Sequence, residues 1–375
     1  MKQKQYNIKL TTLTPVCIGT GITLSPYSDY VIDESEKRIY YVNQELIKKK
    51  LEEKLELIDE FVNSVASGMD NNRSNFKLEQ FLAKRLGIDI RKHHLLQLPC
   101  EARGSKQLYT IIKNAGMQPY IPGSSIKGAV KTALLYDWLV NDNEGQDTVS
   151  GLLQNQDDKN PTNKIEQKFN RFNPGFSDSS LIGINRMECI DTRRFHIKKG
   201  KPDIPQTWES VTINASVNIS LLVKEKEDYV YLEWPELQKA INQYAKAGNK
   251  CEWDILVDAA GKQMNNGIYN ALYDFYEKMD TDISNAGTST AYLKLGSGKG
   301  YYLNSVGLAL FEADTTEDKS KFLEFLKWCG FGKVYKKETR RMEEYDLNSY
   351  DFPITRVLDI HKILPLGWVK LEIEK

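Results

Sequence analysis

From residue 211 to 221 apolar and polar residues alternate without interruption: Val211, Ile213, Ala215, Val217, Ile219 and Leu221 against Thr212, Asn214, Ser216, Asn218 and Ser220. A period of two places the apolar side chains on one face of a strand and an uncharged polar face opposite. Such a strand needs a sheet covered on one side. The covering elements are legible too: residues 44–64 carry Ile47, Leu51, Leu55, Ile58 and Val62 at helical spacing. Residues 120–139 carry Ile126, Val130, Ala133, Leu134 and Trp138 on one helical face, with Ser124 or Ser125 suited to the N-cap. Further helical patterns lie at 81–86, 235–247, 262–279 and 320–329. Tyr6, Ile8 and Leu10 mark a first strand, 187–195 another, and "WVKLEIE" a last. The order β-α-β-β-α-β predicts an α+β, ferredoxin-like core with helices on one face of an antiparallel sheet.

The strands 187–195 and 211–221 are expected to form a long hairpin whose tip, "RRFHIKKGK", is basic. A division near residue 225 separates a domain 1–225, with a helical insertion at about 40–100, from a domain 226–375 carrying a glycine-rich loop. Residues 67–75 read as a linker or exposed loop and the polar stretch 141–163 as a mobile segment.

Composition is that of a globular protein, 41% hydrophobic and 27% charged over 375 residues. The net charge of zero, from 51 basic and 51 acidic residues, offers no global attraction to nucleic acid. The distribution is uneven, however. Arg103, Lys106, Lys113, Lys127 and Lys131 fall in a stretch without acids, as do Arg193, Arg194, Lys198, Lys199 and Lys201, and a third group holds Lys333, Lys336, Lys337, Arg340 and Arg341. The five dispersed cysteines argue for reduced thiols in a cytoplasmic protein. No apolar run approaches the roughly 20 residues of a membrane span. No cofactor or metal motif is present: "SDSS" and "EADTTED" lack the calcium-loop spacing.

"LKLGSGKGYYLN", residues 293–304, has the chemistry of a phosphate-binding loop without the spacing of a nucleotide one. Gly298-Lys299 is preceded at the Walker distance by Leu293 and followed by Gly300, and the dinucleotide pattern meets Tyr301 where its last glycine belongs. The following "YYLNSVGLALF" has no helical period and reads as a strand. The helix start at 123–125, with Lys127 and Lys131 on one flank, is a second candidate anion site.

Four segments in this order, "TPVCIGTG", "YIPGSSIKGAVKTALL", "ECIDTRR…ESVTINASVNISLL" and "LGSGKGYYLNSVGLAL", resemble the RAMP superfamily of CRISPR-associated proteins, whose ferredoxin-like or RRM-like domains bind CRISPR RNA. With "FPITRVLDIHKILPLGWVKLEI", the chain is similar to the subunit of type III-A (Csm) complexes that caps the crRNA 3′ end. The resemblance implies a non-catalytic RNA-binding subunit that takes part in crRNA maturation and antiviral defence. Its partners would be the crRNA 3′ segment, the repeated RAMP backbone subunit, the small helical subunit and host nucleases, with no membrane. It assigns RNA contacts to Gly123, Ser124, Ser125, Lys127 and Lys131, to Arg193 and Arg194, and to Gly296, Ser297, Gly298, Lys299, Gly300 and Tyr301. The sequence departs from the family in its two tyrosines after the loop and in the long insertion 22–119.

Two other readings use different residues. A metal-independent endoribonuclease would draw on His93, His94, His196, Asp29 or Asp33. A protein adaptor recruiting nucleases would dock through the helix at 44–64 and the segment 141–163.

Overall fold

A computed structural model describes residues 2–70, 75–103, 107–154, 165, 174–226, 230–260, 266–336, 338–344, 347 and 352–374. Lys106, Lys337, residues 71–74 of the expected linker and residues 155–163 of the polar stretch lie outside the described residues.

The architecture is mixed α+β. A five-stranded antiparallel sheet has the order Thr290–Lys294, Trp368–Ile373, Gln3–Thr12, Ser216–Lys224, Gly175–Phe176. Ile8 and Leu10 of its central strand and Val217, Ile219 and Leu221 of the neighbour are buried, while Asn7, Lys9, Ser216 and Asn218 face solvent. The alternation therefore does set which face is covered. The long helices Gly123–Asn141 and Trp234–Ala260 contribute Ala129, Val130, Ala133, Leu237 and Ile241 to the same apolar cluster as those strand residues.

The alternating run is not one strand. It ends one strand at Val211 and starts another at Ser216, and Asn214 between them has φ +60°. The reason is tertiary: the chain passes here between two sheets, and buried Thr12 satisfies the corner. Its Oγ1 donates to the Thr212 carbonyl (2.7 Å) and accepts from the Ala215 N–H (2.9 Å). The hairpin partner of Met187–His196 is accordingly Lys201–Val211, and the basic tip is the turn 197–200. That hairpin lies in a six-stranded sheet ordered Leu364–Pro365, Thr355–Asp359, Met187–His196, Lys201–Val211, Leu108–Ile111, Gly19–Leu24.

The insertion is more than helical. A three-stranded sheet, Tyr30–Asp33, Arg38–Val42 and His94–Pro99, frames its helices and builds a separate small core around Tyr40, Phe81 and Leu82. The 44–64 pattern splits into the helices Gln44–Glu52 and Ile58–Asp70, leaving Leu55 and Val62 exposed. Within 141–163, residues Asn143–Gln154 form a helix, started by the Asp142 carboxylate, which accepts from the Glu144 N–H (2.9 Å), and seated by buried Val149 and Leu153. No helix among the described residues is long and apolar enough to cross a membrane.

Candidate nucleic-acid interface

The glycine-rich loop leaves the end of strand Thr290–Lys294 and is clamped between two other turns. Ser297 N–H donates to the Cys17 carbonyl (2.8 Å), Leu295 N–H to that of Gly367 (2.7 Å), and Gly367 N–H to that of Pro15 (2.9 Å). Gly296, Gly298 and Gly300 all have left-handed φ, +67°, +81° and +73°, which favours glycine. Their surroundings differ. A Cβ on Gly296 would stand 2.3 Å from the Cys17 carbonyl oxygen, and one on Gly298 3.0 Å from Leu366 Cβ. Among the described residues, one on Gly300 would meet only Glu252 Oε1, at 4.0 Å. The first two glycines serve the clamp, and the exposed third leaves the backbone open to approach. Lys299 between them is half-buried, and burial lowers its pKa.

The loop runs into a helical turn, Tyr302–Asn304, and then the helix Gly307–Ala313, where a strand was expected. Gly307, Leu308, Ala309 and Leu310 are all buried while Glu312 and Ala313 are exposed, so burial changes along this short helix and not around it, which leaves no apolar period. The order strand, loop, helix matches a nucleotide loop in that respect, but the mismatched spacing stands. Tyr301 is half-buried, edge-on to Phe331 (5.3 Å) and Phe352 (5.0 Å).

The helix at 123–141 starts earlier than expected, with Pro122 and not a serine at the N-cap. Gly123 N–H donates to Asp178 Oδ1 (2.8 Å), so the protein's own carboxylate already occupies part of this helix terminus. Gly123 is needed for packing, since a Cβ would stand 2.3 Å from the Phe176 carbonyl oxygen. Ser124 is exposed; Ser125, Lys127 and Lys131 are half-buried. Ala129, one residue past Gly128, lines a small cavity with Lys294, Leu303 and Trp368, which brings this helix beside both flanks of the glycine loop.

The structure sets the two arginines apart. Arg193 is held by Asp191 (2.9 Å). Exposed Arg194 is opposite Val357, whereas Arg356, the next residue along, is opposite Phe195; adjacent strand residues face opposite ways, so Arg194 projects away from the side to which Arg356 points. Lys113, from the first basic run, is also committed: its ammonium lies 2.6 Å from both oxygens of buried Glu209.

Beneath Gly300 lies a buried charge cluster. Arg356 Nε donates to Glu252 Oε2 (2.5 Å), and Lys294 is buried with its ammonium 5.9 Å from the Trp368 ring centroid. Burial pushes the Lys294 pKa down to about 8; nearby Glu252 opposes this, and Arg356 and Lys299 reinforce it. An unfolded lysine keeps its proton to its ordinary 10.5. Between those two values the unfolded chain holds more protons, so this residue makes stability rise with pH. The stability gain from Lys294→Met is therefore expected to be largest below pH 8 and to shrink toward 10.5. Urea unfolding of both proteins across that range measures it; a difference independent of pH would refute the assignment.

The sequence profile of the RAMP superfamily matches residues 9–334, which include the clamp at 15–17, the helix start and the glycine loop. The chain belongs to the RAMP superfamily. Relatives include the Csm5 protein of Methanocaldococcus jannaschii, 26% identical over 405 aligned positions that span 98% of this chain and 88% of that protein. Csm5 of Streptococcus thermophilus is 27% identical over 141 residues, 35% of this chain and 38% of that one. Among solved structures, a chain of a Csm–crRNA–target RNA ternary complex from a type III-A CRISPR-Cas system has a TM-score of 0.67 at 20% identity, covering 99% of this chain and 100% of that one. Csm5 of T. onnurineus has a TM-score of 0.58 at 19% identity, covering 96% and 99%. At these identities the structural likeness establishes the fold.

In this RAMP protein the nuclease candidates are scattered. His196 Nδ1 is buried without a hydrogen-bond partner among the described residues, and burial, then Lys199, lowers its pKa. His94 Nδ1 lies 3.2 Å from the Ile90 carbonyl and His93 is exposed. Asp29 accepts from the Ser25 N–H (2.7 Å). Asp33 is held down to about 2, first by the Ser35 hydroxyl, and caps its own turn. Sequence reasoning missed Glu252, Lys294 and Arg356. The signal for Lys294 was present: a lone lysine inside the apolar strand "AYLKL".

Proposed function

We propose that this chain is a non-catalytic RNA-holding subunit of a type III-A CRISPR (Csm) effector complex, which caps the 3′ end of the crRNA and acts in its maturation and in antiviral defence. The observation that carries this reading is the clamped loop, whose exposed Gly300 lies next to Lys299. Backbone N–H groups and a lysine suit phosphates and read no base, as a subunit accepting any guide requires. The strand order of the five-stranded sheet, with helix Gly123–Asn141 reached after the insertion that follows strand Gln3–Thr12 and helix Trp234–Ala260 directly after Ser216–Lys224, supports a ferredoxin-like core. The partners would be the repeated RAMP backbone subunit and the small helical subunit, with recruited nucleases doing the trimming in the cytoplasm.

The test is RNA retention over a salt series. Combining Lys127→Ala, Lys131→Ala and Lys299→Ala should weaken binding and reduce the slope of log affinity against log salt by about 0.7 for each phosphate no longer neutralised. An unchanged slope would count against the loop and helix terminus as the site. In the same assay His196→Ala should leave the length of the bound RNA unaltered; accumulation of longer RNA would revive the nuclease reading.

A further inference from the structure

Among the described residues the strands Lys333–Lys336 and Arg341–Glu344 pair only with each other, as a two-stranded ribbon apart from the larger sheets. None of its residues with a described side chain is buried. An isolated ribbon of this size is marginal in water and gains its order from what it touches. Tyr335 and Met342 are directly opposite in the register, hence on one face, and are 57% and 59% exposed. They form an exposed apolar spot one ring and one thioether wide.

Three observations identify the occupant. Lys336, Arg340 and Arg341 ring the turn, with Glu338 among them, and Lys333 stands on the face of Tyr335 opposite Glu344; of these cations only Lys336 has an ion-pair partner among the described residues, Glu343 (2.6 Å). The root of the ribbon joins the candidate interface, because Phe331 lies edge-on to Tyr301 (5.3 Å), the residue after Gly300. The apolar area is a single cross-strand pair, suited to the face of one base and not to an extended protein surface. The ribbon also lies almost wholly beyond residue 334, where the family match ends.

We propose that this ribbon is a base-stacking arm: single-stranded RNA held at the glycine loop continues onto it, with one base lying on Tyr335 and Met342 and the turn cations meeting its phosphates. The inference rests on the glycine loop being an RNA site. Stacking and phosphate contacts are separable, since a ring holds a base at any ionic strength whereas phosphate contacts set the salt slope.

The experiment measures binding of a labelled single-stranded RNA to the full chain over a salt series. Tyr335→Ala with Met342→Ala should lower affinity about tenfold at every salt concentration without changing the slope, and Tyr335→Trp with Met342 intact should bind at least as tightly as the parent. Both side chains are exposed, so the fold should tolerate these changes. Parental affinity in the double variant, with Lys299→Ala still weakening binding, would overturn the arm while sparing the loop, and would leave a protein as the ribbon's partner. No RNA binding by the parent, or none of these changes having an effect, would remove both readings.

Discussion

Glu252→Gln is expected to lower the unfolding free energy by about 3–5 kcal/mol, the range for breaking a buried ion pair. Glu252 is 3% exposed and is the carboxylate bonded to the buried Arg356 guanidinium. Removing its charge would leave Arg356 and Lys294 as neighbouring buried cations without a counterion, each desolvated and repelling the other. Arg356→Met should also be costly, because it removes the cation hydrogen-bonded to the carboxylate and leaves only Lys294 near it. Combining Glu252→Gln with Arg356→Met should recover part of the loss, since an apolar replacement of the pair removes both desolvation penalties. Urea denaturation of the three variants is the measurement. Additive losses in the double variant would mean that the two groups act independently and that the ion pair does not couple them.

Gly367→Ala and Gly296→Ala should each destabilise by about 2–5 kcal/mol, combining the cost of a left-handed L-residue with that of forced displacement. A Cβ on Gly367, at φ +90°, would stand 2.1 Å from the Leu295 carbonyl oxygen, and one on Gly296 2.3 Å from that of Cys17. Both obstacles are backbone, so relief requires the clamp to open. Gly300→Ala should cost only about 1–2 kcal/mol, since it has the same handedness but open surroundings. RNA affinity should fall in all three: through displacement of the loop in the first two, and through obstruction of the backbone at Gly300. Thermal unfolding beside RNA binding separates these cases. Equal destabilisation at positions 296 and 300 would contradict the different roles assigned to the two glycines.

What the sequence by itself determined was the set of elements covered on one side. The strand Gln3–Thr12, the strand beginning at Ser216 and the helix at 123–141 each show a period because one flank faces solvent and the other the core. The glycine loop, too, was legible as backbone with unusual freedom. Tertiary structure alone decided the rest. The alternation through 211–221 continues across a corner, because the strands on either side belong to different sheets and the corner's backbone is satisfied by Thr12, some two hundred residues away in the chain. The helix at 307–313 carries no period because burial changes along it and not around it. The purpose of each glycine depends on residues 17, 252 and 366. The charge beneath Gly300 comes from three elements distant in sequence, and burial and proximity are properties of the assembled core that no local pattern records.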